Sequence, residues 1–238
     1  MNIAAAIDQL NSLLPLQARQ QVLEPPLREL HRAILRGFAM EGQPPTRAQI
    51  AARPGIDAVD AALQRLAAAD LIVLTQDDSQ VAGAYPFTTE RRVHRVQLNG
   101  NTVHAMCALD ALSIAPMFET STRIDSRCHC SDRPIGIHMQ GTQVISVQPA
   151  GPWVGIRWQG TSGCAAQSLC MDMVFLHDQA TAEAWQQDDP GHISIIELPD
   201  AVEFGAAFFR PLLAREPARA GATTCHCQGA CLTVDASS

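Results

Sequence analysis

The apolar positions near the start of the chain recur at helical spacing. In residues 28–41, "RELHRAILRGFAME", the residues Leu30, Ile34, Leu35 and Phe38 fall on one face of a helix. A helix with such a face packs it against other elements, so we predict a core helix here.

The segments that follow have the order of a winged helix. A Pro-Pro pair at 44–45 interrupts the pattern, and Thr46 can cap a short helix after it. Residues 56–69 then repeat apolar positions at helical spacing, and apolar residues on both sides of the turn "QDDSQ" suggest a hairpin. We therefore predict a winged-helix-like N-terminal module over residues 1–86.

From residue 87 the pattern changes to short strands mixed with helices. Asn99-Gly100 separates two strand-like runs and suits a tight hairpin turn. Further strand-like runs are "TQVISVQPAG", "WVGIRWQG", "LCMDMVFL" and "HISIIEL", and predicted helices are "CALDALSIAPMFE", ending at Pro116, "ATAEAWQQ" and "DAVEFGAAFFRPLLARE". The fold class is α+β, with the N-terminal module packed on a catalytic domain with a mixed or antiparallel sheet over 87–215. Residues 216–238 have the composition of a flexible tail.

The composition is that of an ordinary globular protein, with 47% hydrophobic and 17% charged residues. Its net charge of −7 disfavours nucleic acid and acidic membranes as partners. We find neither a secretory signal nor an apolar run that could span a bilayer. Eight cysteines in such a chain predict thiols used for metal binding or catalysis in the cytoplasm.

The predicted winged helix lacks the charge expected of a DNA reader. Its presumptive reading helix carries Asp57 and Asp60 against a single Arg65. Because DNA-reading helices neutralise phosphates with basic residues, a packing role is favoured over DNA binding, and no nucleic-acid partner is expected.

The stretch "HAMCALDALSIAP", residues 104–116, places a cysteine and an acid one helical turn apart. Cys107 falls where a strand turns into a helix, and a helix N-terminus is expected to lower a thiol pKa. Asp110 at i+3 projects from the same face, and burial of its carboxyl would raise its pKa. The alternative is a packed cysteine beside an acid that only stabilises the helix terminus.

A second cysteine, Cys170, lies 63 residues further on at the start of a strand-like run. Two thiols and one acid, without a histidine-rich zinc pattern, suit a soft two-coordinate ion. Mercury is the extreme case of such an ion.

Together these motifs resemble the organomercurial (alkylmercury) lyases. The resemblance covers about residues 25–215 and is carried by "CALDAL", "PAG" at 149–151, "QS-L-C" at 167–170 and "TAEAW" at 181–185. It implies an enzyme that protonates the carbon of R–Hg⁺ and releases R–H and Hg(II). This chain differs from the family pattern at Met106, where relatives often have an aromatic residue, and at Met171, where some have a second cysteine.

The resemblance also implies the roles of the site residues. Cys107 and Cys170 would bind mercury, and Asp110 would take a proton from a thiol and deliver one to the leaving carbon. No organic cofactor is expected, and a small thiol or a mercuric reductase would accept the Hg(II). Cys128 matches a further family cysteine and is interpreted as structural or protective.

The remaining cysteines are not assigned by the resemblance. The C-terminal "CHCQGAC" could let Cys225, Cys227 and Cys231 collect or relay mercury, or could be incidental. No role is predicted for Cys130 and Cys164. Two other classes stay open: a winged-helix metal-responsive transcription regulator, and a thiol protein that binds Hg(II) without catalysis.

Overall fold

The computed structural model describes residues 2–158 and 164–214. Its helices are α1 (Ile3–Leu13), α2 (Leu16–Gln21), α3 (Pro25–Glu41), α4 (Arg47–Ala51), α5 (Val59–Ala68), α6 (Ala108–Phe118), α7 (Gln179–Gln186) and α8 (Leu198–Phe209). Its strands are β1 (Val73–Leu74), β2 (Val81–Ala84), β3 (Phe87–Thr88), β4 (Arg95–Leu98), β5 (Asn101–Ala105), β6 (Ser121–Arg127), β7 (Pro134–Gln140), β8 (Gln143–Gln148), β9 (Trp153–Arg157), β10 (Met173–Leu176) and β11 (Ile193–Glu197). Short 3-10 helices span Ala165–Gln167, Leu169–Asp172 and Arg210–Leu213.

The strands form two antiparallel sheets. The larger has the order β1-β2-β3-β5-β4-β6-β7-β8, and the smaller has the order β10-β9-β11. The strand pairs within both sheets are antiparallel in the described residues. The predicted α+β class is thereby confirmed. None of the described helices has the length and apolar character needed to cross a membrane.

The predicted core helix is α3, and its apolar face is buried as expected. Leu30, Ile34 and Leu35 have no exposed surface. Phe38 from the same face stacks on Phe87 of β3, with ring centroids 5.3 Å apart. This stacking is one contact by which the N-terminal helices pack on the large sheet.

After α3 the elements follow the predicted order of two helices and a hairpin. Thr46 caps α4 in a capping box with Gln49, and β1 pairs with β2 after α5. The winged-helix interpretation of this order stays a prediction. The large sheet continues from β2 and β3 into β5, across the predicted boundary between residues 86 and 87.

The β4–β5 hairpin confirms the predicted Asn-Gly turn. Asn99 and Gly100 adopt φ angles of 48° and 79°, the left-handed conformation that a type I′ turn requires. The next helix, α6, differs from the prediction because it continues past Pro116 to Phe118 and ends at Glu119. Arg210 Nε donates to the backbone oxygen of Pro116 at 2.9 Å, which satisfies a carbonyl group of the last turn.

Candidate active site

Cys107 is positioned by the junction between β5 and α6. It is the N-cap of α6, and its Sγ accepts a hydrogen bond from the backbone N–H of Asp110 at 3.3 Å. Its extended backbone, with φ −149° and ψ 178°, lets the chain pass from strand to helix. The predicted strand-to-helix transition at Cys107 is therefore present.

Cys170 reaches the same point from another part of the fold. It lies in the 3-10 helix Leu169–Asp172, which precedes β10, and not at the start of a strand as predicted. The ligand atoms of Cys107, Asp110 and Cys170 all lie within 4.8 Å of one another, and all three residues are buried. Since a zinc–thiolate bond is about 2.3 Å, two sulfurs this close can bind one ion of similar or larger size.

The two thiols are protonated near neutral pH. Burial, with the neighbouring Cys170 and Asp110, raises the pKa of Cys107 well above its usual value. At Cys170 a hydrogen bond from Cys107 lowers the pKa, but burial and the Asp110 charge outweigh it and the pKa is raised. The expectation of a lowered pKa for Cys107 is thus wrong. Complete desolvation and a nearby carboxylate outweigh the helix N-terminus.

Asp110 has the environment of a proton carrier. Its side chain is 2% exposed, and its Oδ2 atom has no hydrogen-bond partner among the described residues. Burial raises its pKa from 3.8 to about 7, against hydrogen bonds from Cys107 that lower it. The predicted raised pKa is therefore found. A carboxyl group with such a pKa can both take up and release a proton near neutral pH.

A cavity of about 430 Å³ leads to this trio. Cys170 lines it, together with the thioethers of Met106, Met171 and Met173. Cys107 lies deeper, with its Sγ 3.8 Å from the Sδ of Met173. Sulfur-bearing side chains thus line the cavity from which a soft metal would reach Cys170.

Cys128 lines the same cavity in a different environment. It follows β6 in a turn closed by its N–H to the carbonyl of Arg133, at 2.9 Å. Burial raises its pKa, but hydrogen bonds from Ser131 and from the backbones of Cys130 and His177 outweigh this, so the pKa is lowered. Cys130 is exposed in the same turn.

Tyr85 holds the segment that precedes Cys170. Its hydroxyl donates to Asp70 Oδ1 at 2.9 Å and accepts the backbone N–H of Ala166 at the same distance. It also lies 3.3 Å from the Sγ of Cys164. Sequence reasoning missed Tyr85, although it is the single tyrosine of the chain.

The C-terminal cysteines Cys225, Cys227 and Cys231 lie outside the described residues. Among the described residues, Cys107, Asp110 and Cys170 form the one group of three potential ligands close enough to hold a metal. Two thiols around one point, with a carboxyl in reach, are groups that can bind a thiophilic metal and move a proton beside it.

The family follows from comparison with known proteins. A sequence profile of the alkylmercury lyase family, MerB, matches residues 87–210. The chain therefore belongs to the alkylmercury lyase family, as the sequence motifs predict.

Individual relatives agree with this assignment. The alkylmercury lyase of Staphylococcus epidermidis is 28% identical over 178 residues, which are 74% of this chain and 79% of that protein. The alkylmercury lyase of Bacillus cereus is 28% identical over 112 residues, or 47% and 51% of the two chains. The solved mercury-bound form of MerB2 has the same fold, with a TM-score of 0.70 and 20% identity over 83% of this chain and 98% of that one.

Proposed function

We propose that the protein cleaves the carbon–mercury bond of organomercurials by protonolysis, with Cys107 and Cys170 as mercury ligands and Asp110 as the proton carrier. The reaction class follows from the family. The observation that carries the residue roles is that two sulfurs and one carboxyl oxygen lie within 4.8 Å of one another in a buried site. Metal binding needs the thiols alone, whereas the buried acid supports a lyase.

Cys170 is the first ligand, because it lines the cavity and Cys107 lies behind it. The substrate arrives as R–Hg–SR′, since mercury binds thiolates strongly. The Hg–SR′ bond breaks and an Hg–S bond to Cys170 forms. The thiol proton of Cys170 leaves with R′S⁻ as R′SH.

Cys107 is the second ligand, and Asp110 moves its proton. The Asp110 carboxylate takes the proton of the Cys107 thiol, and the freed thiolate bonds to mercury. With two sulfurs donating electron density, the carbon becomes more basic and takes the proton from Asp110 as the Hg–C bond breaks. R–H leaves with the bond's electron pair and that proton, and Asp110 returns to its carboxylate form.

The Hg(II) product stays on the two thiolates until another thiol removes it. A small thiol, or the cysteines of a mercuric reductase, would serve as acceptor. The proposed reaction needs no organic cofactor, because the two sulfurs and the carboxyl supply all its electron pairs and protons. We place it in the cytoplasm, where thiols are kept reduced.

The test measures benzene released from phenylmercury by the purified protein in excess thiol. The wild type should form benzene over repeated turnovers, because the excess thiol removes the Hg(II) product. Asp110→Asn preserves the shape of the side chain but cannot accept the thiol proton, so benzene release should fall by about 10²–10⁴-fold while Hg(II) binding remains. An Asp110→Asn protein that cleaves at the wild-type rate would remove the acid from the mechanism. A wild type that binds Hg(II) but forms no benzene would be a non-catalytic thiol protein.

A further inference from the structure

Three arginines, Arg91, Arg92 and Arg127, line the cavity that leads to Cys170. They stand out in a chain with a net charge of −7. One acid, Asp132, lines the cavity with them and pairs with Arg127 at 3.1 Å. The formal charge of these acidic and arginine side chains is therefore positive.

Arg91 and Arg92 differ in what the described part of the protein leaves free for a ligand. Within residues 2–158 and 164–214, no carboxylate forms an ion pair with Arg91, which is exposed. Arg92 donates to Glu90 at 2.8 Å and to Met171 at 2.8 Å, and its Nε is buried, so Arg92 contributes positive charge to the cavity. A guanidinium with unused donors is suited to a carboxylate, which it can bind through two parallel hydrogen bonds.

Arg92 is also held in place at the cavity. Its Nη1 donates to the Sδ of Met171 at 2.8 Å, and the Nδ1 of His104 lies 2.8 Å from its backbone oxygen. The positive charge of Arg92 also reaches the wall of the cavity, since burial and, to a smaller extent, Arg92 together lower the pKa of His94 to about 4. The cavity thus carries a positive potential next to a neutral histidine.

The chemistry of the substrate supplies a matching anion. In the presence of thiols an organomercurial exists as R–Hg–SR′, and its charge depends on the groups carried by R and R′. A cavity of about 430 Å³ lies in the range that holds small ligands and has room for both groups.

We propose that Arg91, Arg92 and Arg127 bind the carboxylate of an anionic organomercury–thiol adduct and so direct its mercury to Cys170. This inference rests on the proposed lyase function. The carboxylate can belong to the thiol or to the organic group, and both sources present the same chemistry to the arginines.

The test compares kcat/KM for three substrates in low-salt buffer. They are phenylmercury with mercaptopropionate, phenylmercury with mercaptoethanol, and p-mercuribenzoate with mercaptoethanol. The variants are Arg91→Gln and Arg127→Gln, with Arg91→Lys to retain the charge. Arg123→Gln is the matched control, because Arg123 lies on the same exposed face of β6 as Arg127 but does not line the cavity.

We expect the wild type to favour the two carboxylate-bearing substrates over the neutral one. Each Gln variant should reduce the ratio of kcat/KM for a carboxylate-bearing substrate to kcat/KM for the neutral substrate by about fivefold, which corresponds to the upper range for an exposed ion pair. Arg91→Lys keeps the charge and should reduce this ratio less. If the Gln variants lose the preference only for the mercaptopropionate adduct, the recognised carboxylate belongs to the thiol. If they lose it only for p-mercuribenzoate, the carboxylate belongs to the organic group. Arg123→Gln should keep the wild-type preference.

Two failures are distinguishable. If the wild type releases no product from any substrate, the proposed function fails. If it releases product but shows no preference for anionic substrates, or if the cavity variants keep the same preference as Arg123→Gln, the arginine proposal alone is overturned. Thermal unfolding of each variant checks that the fold is intact.

Discussion

Cys170 and Cys128 line one cavity and both are buried, yet their pKa values shift in opposite directions. At Cys170, burial and the nearby Asp110 carboxylate favour the protonated form and outweigh the hydrogen bond from Cys107, which favours the thiolate. Cys128 accepts hydrogen bonds from the turn that follows it, which favour its thiolate. The depth of each thiol in the protein, together with the charges and hydrogen-bond donors around it, therefore sets its protonation state.

The largest effect should come from removing the mercury ligands. We expect Cys107→Ser and Cys170→Ser each to reduce benzene release by roughly a thousandfold or more, because a hydroxyl cannot replace a soft thiolate. Cys130→Ser is the matched control, since Cys130 is an exposed thiol outside the trio. Turnover by either ligand variant at a rate near that of the control would contradict the assignment.

The raised pKa of Asp110 predicts a dependence of stability on pH. Its folded-state pKa of about 7 lies above its ordinary value of 3.8, so its contribution to stability is fully present below pH 3.8 and is lost as the pH rises through 7. The loss amounts to roughly 4 kcal/mol. Urea unfolding from pH 4 to 8 should show this loss in the wild type and not in Asp110→Asn. Parallel curves for the two proteins would argue against the buried acid.

Tyr85→Phe tests the support of the segment before Cys170. The variant leaves the backbone N–H of Ala166 and one oxygen of Asp70 without the Tyr85 hydroxyl. We expect a decrease of about 1–3 kcal/mol in the free energy of unfolding, measured by urea titration. An unchanged free energy for Tyr85→Phe would show that the hydroxyl is not needed.

The smallest expected effect concerns the ionisation of Cys128, and it tests the difference between the Cys128 and Cys170 thiols. Ultraviolet absorbance of thiolates during a pH titration should show a wild-type thiol that ionises below the usual cysteine range. That component should disappear in Cys128→Ser and remain in Cys130→Ser, because the pKa of Cys130 is raised. Its persistence in Cys128→Ser would assign the early titration to another thiol.

Local chemistry and the buried face of α3 were predictable from the sequence, whereas the approach of distant residues and the complete desolvation of Cys107 were not. The pair Cys107 and Asp110 is fixed by i, i+3 spacing on one helix, so it could be identified directly. The approach of Cys170 could be inferred only through the family resemblance. The pKa of Cys107 was predicted in the wrong direction because a helix N-terminus is visible in sequence and complete desolvation is not.

The strands β6 and β7 show another limit. In β6 every second residue is buried, but the inward positions include Thr122 and Ser126, so hydroxyls obscure the apolar alternation. In β7 the alternation is clear, with Ile135, Ile137 and Met139 buried, and the signal was available but not used. Both strands lie in the sheet that carries the turn of Cys128.

The two mercury ligands belong to elements far apart in the chain, one capping α6 and one in the short helix before β10. An ion held by both sulfurs would act as a cross-link between these elements. If the folded site binds the ion more tightly than the thiols of the unfolded chain do, the ion would raise the melting temperature according to its occupancy. The melting temperature would then report how much Hg(II) product stays bound. A thiol that returns the melting temperature to that of the mercury-free protein would be able to remove the product and complete the catalytic cycle.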